Sequence, residues 1–125
     1  MRYLFYILLW VIPYQCLSQS LITTTQLKDA QQSNVPIVIE FWADWNDSNK
    51  CQFLSSLKDC RMYRISIEDY PELAESYKIK VLPTIIVFNK TEQIKRFTGN
   101  LMFKLDVEKK EIQAVIDSIT ISKFR

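Results

Sequence analysis

The chain has no histidine and a single glycine, Gly99, among its 125 residues. Without histidine, Ser-His-Asp and Cys-His catalysis and every His-dependent metal site are excluded. One glycine rules out the Gly-rich loops that cradle phosphates. Strong charge of either sign is lacking too: 16 basic against 14 acidic residues leave a formal net charge of +2. No basic run or basic-aromatic stripe appears, so no nucleic-acid partner is expected. Nor does the chain show an internal repeat, a linker or a low-complexity segment. Its length suits one domain with a proper core.

What is present is apolar and aromatic: 48% of the residues are hydrophobic, with three tryptophans and seven phenylalanines. At the start, Arg2 gives a positive n-region and Tyr3 to Ile12 an unbroken apolar run. Pro13 ends the run, and Cys16-Leu17-Ser18 places small residues before Gln19. This is the pattern of a signal peptide over residues 1–18, with Ser20 as a neighbouring cut. The run is too short for an ordinary membrane span. Two alternatives stand beside cleavage: a lipidated Cys16, although Pro13-Tyr14-Gln15 lacks the expected small residue, and an uncleaved anchor lengthened through Leu17. Membrane contact is expected only under those two. Cleavage gives an exported protein, periplasmic or secreted, with a net charge near +1 and two cysteines in an oxidising compartment.

The rest of the chain is organised around Val35 to Lys50. Ile37, Val38, Ile39, Phe41 and Trp42 form a short apolar run, as in a strand covered on both faces. Asn46, Asp47, Ser48 and Asn49 are turn and cap formers, and Phe53, Leu54 and Leu57 follow at helical spacing, predicting a helix to about Leu57. Upstream, Leu21 to Thr25 reads as a short edge strand and Gln26 to Gln32 as a helix. Downstream, Met62 to Ile67 reads as a strand. Pro71, with Asp69 before it, opens a short helix to Tyr77. Thr84 to Phe88 is an apolar strand, and Gln93 to Thr98 an alternating one with Ile94 and Phe97 as its apolar positions. A last helix is expected from Val107, capped by Asp106, with Ile112, Val115, Ile116 and Ile119 on one face.

Phe41-Trp42-Ala43-Asp44-Trp45 and Lys50 resemble the thioredoxin family, whose signature is Phe-Trp-Ala-x-Trp, Cys-x-x-Cys and Lys. The two cysteine positions hold Asn46 and Asn49 instead. The resemblance implies an α/β thioredoxin-like fold over residues 21–122: a central mixed sheet flanked by helices, in the order βαβ then αββα. Leu82-Pro83-Thr84 matches the family's cis-proline loop, which faces the Cys-x-x-Cys turn. Glu40 falls where the family has a buried acid, and Arg64 where it often has a lysine. A lone buried charge is costly, so Glu40 is expected to pair with Arg64.

In the active family, the first cysteine is a thiolate at a helix N-terminus and the second resolves the mixed disulfide. Asparagine can do neither. Asn46, Asn49 and Asp47 are therefore expected to act as helix caps, and no catalytic residue, metal or cofactor is expected. The surface implied to remain is a peptide-binding one: Trp45, Asn46, Asp47, Leu82 and Pro83, with Leu82 offering its backbone to an extended polypeptide. Two alternatives differ in class. One is an atypical thiol–disulfide oxidoreductase using Cys51, possibly with Cys60; the other is a purely structural subunit. Cys51 and Cys60 could instead form a structural disulfide, provided the helix between them ends early.

Overall fold

The computed structural model describes residues 24–124. The signal peptide, Cys16 and the first three residues of the expected edge strand lie outside the described residues. The described elements are helix α1 (Thr24–Gln31), strand β1 (Ile37–Trp42), two 3₁₀ stretches (Asp44–Asn49 and Leu54–Ser56) and strand β2 (Arg61–Ser66). Helix α2 (Pro71–Ser76), strands β3 (Thr84–Asn89) and β4 (Glu92–Thr98), and helix α3 (Lys109–Ser122) complete them. Thr24 and Thr25 belong to α1 rather than to a strand, a case of β-propensity yielding to context.

The sheet has the order β2-β1-β3-β4. β1 runs parallel to β2 and antiparallel to β3, and β3 is antiparallel to β4. This mixed sheet, with helices on its faces, is the thioredoxin fold. Alternation along the central strands sorts the core into two layers. Ile37, Ile39, Phe41, Ile86 and Phe88 pack with Leu27 and Ala30 of α1 and with Leu73 of α2. Val38, Ile85 and Val87 pack with Leu54, Leu57 and the Ile112, Ile116 and Ile119 stripe of α3.

Three expectations are corrected. No α-helix follows Asn46: the segment forms two 3₁₀ stretches with Cys51 between them. Asn, Asp and Ser crowd its first turn, where such residues compete with a helical ladder, and Asn49 bonds Asn46 through its side chain. Of its buried apolar positions only Leu54 lies within a 3₁₀ turn, with Cys51 before it and Leu57 extended after it. Second, α3 is capped by Glu108, not Asp106, through a reciprocal capping box with Glu111. By contrast α2 does begin at Pro71, with Tyr70 at its N-cap position and no side-chain cap bond. Third, the apolar positions of β4 do not simply alternate. The register passes from Val87↔Lys95 to Phe88↔Gln93, so Ile94 is an extra residue at a bulge and stays exposed, while Phe97 packs inward.

Candidate functional site

Parallel pairing sets Glu40 beside Arg64, on the sheet face that carries Val38. Glu40 is fully buried, and Arg64 donates from Nε to Glu40 Oε1 at 2.7 Å. The other oxygen, Oε2, accepts the Cys51 backbone N–H at 2.6 Å, and Arg64 Nη2 donates to the Cys51 carbonyl at 3.0 Å. Both peptide groups of Cys51 are thus held by strand side chains, which leaves them unavailable to a helical ladder. A buried charge is tolerated where its partners are this complete.

Just before Cys51, the Asp44–Asn49 stretch is kinked at Asn46, and Ala43 stands at its N-cap without a side-chain cap bond. The predicted capping roles of Asn46, Asn49 and Asp47 on an α-helix therefore fall away with that helix. The two asparagines bond to each other instead: Asn49 Nδ2 donates to Asn46 Oδ1 at 2.8 Å. Asn46 is only 5% exposed, and its Nδ2 donates to the Phe103 carbonyl at 3.1 Å. Asp47 makes a surface ion pair with Lys50 at 3.1 Å, of little energetic weight.

The Leu82–Pro83 peptide bond is cis, and both residues are buried. Gly99 lies directly against this loop: its N–H donates to the Pro83 carbonyl at 2.8 Å. A Cβ at Gly99 would lie 2.6 Å from the Leu82 carbonyl oxygen, so this position needs the one glycine of the chain. Asn100 then ties a tight turn, its Oδ1 accepting the backbone N–H groups of Met102 and Lys104. The turn brings Phe103 against Trp45, edge to face, with ring centroids 5.1 Å apart. Residues 99–103 therefore bridge the proline loop and the asparagine pair.

Of the five residues expected to form a peptide-binding surface, Trp45 and Asp47 are exposed while Asn46, Leu82 and Pro83 are buried. Leu101, Met102 and Phe103, to which the sequence assigns no role, are exposed, and Phe103 lies beside Trp45. Three large apolar residues straight after the Gly99-Asn100 turn are the signal that marks them.

Cys51 and Cys60 are unpaired, so the anticipated option of a structural disulfide is not realised. Burial, and then the Glu40 charge, push the Cys51 thiol up to about 11. Burial, and then Asp59, raise Cys60 to about 11 as well. Both are protonated near neutrality and poor nucleophiles. Among the described residues, no group of three or more His, Cys, Asp or Glu side chains is placed to hold a metal ion.

A family profile described as Thioredoxin matches residues 19–118. Thioredoxin Y1, chloroplastic, of Arabidopsis thaliana is 34% identical over 98 residues, 71% of this chain and 53% of that protein. Thioredoxin M3, chloroplastic, of Oryza sativa subsp. japonica is 32% identical over 78 residues, 55% of this chain and 43% of that one. The chain thus spans about half the length of these relatives. Among solved structures, a mutant thioredoxin from Halobacterium salinarum superposes with a TM-score of 0.63 at 22% identity, covering 80% of this chain and 88% of that one. Oxidised mitochondrial thioredoxin 3 from Saccharomyces cerevisiae gives 0.60 at 17% identity, covering 81% and 95%. At these identities the structures speak for the fold alone.

Proposed function

The chain belongs to the thioredoxin family, and we propose that it is an exported, redox-inactive member that binds a polypeptide partner. Binding is assigned to the face carrying Trp45 and Asp47, above Asn46 and the Leu82–Pro83 loop. The observation that carries this reading is the hydrogen bond between Asn49 and Asn46. Two amides occupy the positions where thiol–disulfide exchange needs two sulfurs, and neither can attack or leave.

The thiol alternative finds little support. Cys51 is 6% exposed, and burial with the Glu40 charge outweighs the lowering effect of Arg64, leaving its thiol raised to about 11. The N-terminal 18 residues serve export in this reading, consistent with Tyr3 to Ile12 and the small residues after Pro13. A photo-crosslinking residue placed at Trp45 or Asp47 tests the binding. The same protein adduct should form with and without Cys51→Ser, and should resist reductant. An adduct lost with Cys51→Ser, or released by reductant, would contradict a thiol-independent role.

A further inference from the structure

Trp45, 60% exposed, packs on Phe103, 45% exposed, and the same tight turn carries Leu101 at 98% and Met102 at 70% exposure. They are not on a loose loop. Asn100 holds the turn through its side-chain oxygen, and its Nδ2 donates to Asp106 Oδ2 at 3.0 Å. Phe103 sits at φ 58°, a left-handed conformation that a phenylalanine adopts only when its surroundings impose it. The Asn46 side chain supplies one such constraint by bonding the Phe103 carbonyl, and Trp45 supplies another by packing on the ring. An apolar tip held rigid in water is an arrangement suited to recognition, because little ordering entropy remains to be lost on binding.

We propose that Leu101, Met102 and Phe103, with Trp45, form a convex key that docks into an apolar cavity of a folded partner protein. Asn46 is the positioning residue that holds the key in place. The proposal rests on the polypeptide-binding reading and names its partner. Leu101 stands almost wholly in solvent, so the occupant must supply the concavity, which an extended peptide does not have. The charges around the tip choose between a protein and a lipid surface. Asp44 and Asp47 flank Trp45, Glu68 accepts the Asp44 N–H, and Asp106 is bound to Asn100. Against these four carboxylates stand Lys104 and Lys50, the latter already paired with Asp47. An acidic rim is repelled by anionic lipid and gains nothing from a neutral bilayer. It complements a cavity edged with Lys or Arg.

The test places a photo-crosslinking residue singly at Trp45, Leu101, Met102 and, on α3, Ile121 of the full chain in its native host. The expected result is one shared protein adduct from the first three positions and none from Ile121. The captured protein, purified and titrated, should bind the wild-type chain and lose at least about tenfold in affinity with Leu101→Asp. Asn46→Ala should weaken binding similarly while a circular-dichroism melt shows the chain folded. Should that variant unfold, Asn100→Ala, which frees the same turn, takes its place. An adduct from Trp45 but not from Leu101 or Met102 overturns the key and leaves the polypeptide-binding reading standing. No adduct at any position removes both. An adduct of twice the chain's mass, or co-sedimentation with phosphatidylcholine/phosphatidylglycerol vesicles that Leu101→Asp abolishes, would replace the proposal by self-association or membrane docking.

Discussion

Asn49 reaches across one 3₁₀ turn to donate its amide to Asn46, 2.8 Å away, and Asn46 passes its own amide to the Phe103 carbonyl. Where an active relative would carry two sulfurs that switch between bonded and free, this protein carries a fixed amide relay. Its effect is to fasten two loops.

The proximity of these side chains makes Asn46→Cys with Asn49→Cys informative. The double variant should form a disulfide in air, seen as a loss of two hydrogens by intact mass. Its turnover should be weak, because no α-helix follows to lower a thiol pKa and Asp47 lies beside both positions. Adding Asp47→Ala should raise it. Failure to form the disulfide would mean that the turn does not have the geometry described.

Glu40 and Arg64 together support Cys51, so removing one partner strands the other. Arg64→Ala should cost about 3–5 kcal/mol in urea unfolding. Arg64→Lys should fall between, since an ammonium cannot fork to Glu40 and the Cys51 carbonyl as a guanidinium does. An Arg64→Ala variant as stable as wild type would remove the clamp from the account.

Gly99→Ala should destabilise by about 1–3 kcal/mol, because the new methyl meets the Leu82 carbonyl oxygen, a backbone atom that cannot swing aside. Thermal unfolding reads the change. An unchanged melting temperature would show that the turn and the proline loop are not in close contact.

The thiols should be slow to react with iodoacetamide at neutral pH and fast once the chain is unfolded. In the native protein Cys60, at the edge of a cavity of about 500 Å³ lined by Val35, Pro36 and Phe124, should label before Cys51, which is 6% exposed. Stability follows with a definite sign. Both folded-state values are raised from 9.0 to about 11, so ionisation favours the unfolded chain as pH rises through that window. Their contribution is therefore full below pH 9 and declines between about 9 and 11. The drop measured by urea unfolding should shrink in Cys51→Ala with Cys60→Ala. An equal drop in that variant would contradict the burial of the thiols.

The sheet and its order are legible in the sequence because Ile37 to Trp42 and Thr84 to Phe88 are continuous apolar runs between turn signals. The pairing of Glu40 with Arg64 is legible because a buried acid needs a cation. The helix expected after Asn46 is not realised, since Phe53, Leu54 and Leu57 look helical until Cys51 is known to give both its peptide groups to Glu40 and Arg64. That competition is tertiary, and no local pattern announces it. Asp106 resembles a cap for the same reason: its bond to Asn100 comes from a turn that Asn100 itself builds. The burial of Asn46, Leu82 and Pro83 is likewise tertiary: Leu82 joins the core, Gly99 bonds Pro83 and the Phe103 carbonyl accepts from Asn46.

We propose that this thioredoxin-like scaffold carries out no thiol–disulfide exchange. Disulfide reduction by the purified mature chain, followed with a dithiol reductant and a protein disulfide substrate, tests it directly. The rate should equal that of buffer with the same reductant, and Cys51→Ser should leave it there. Turnover above that background which disappears with Cys51→Ser would contradict the claim and make this protein an enzyme with a displaced thiol.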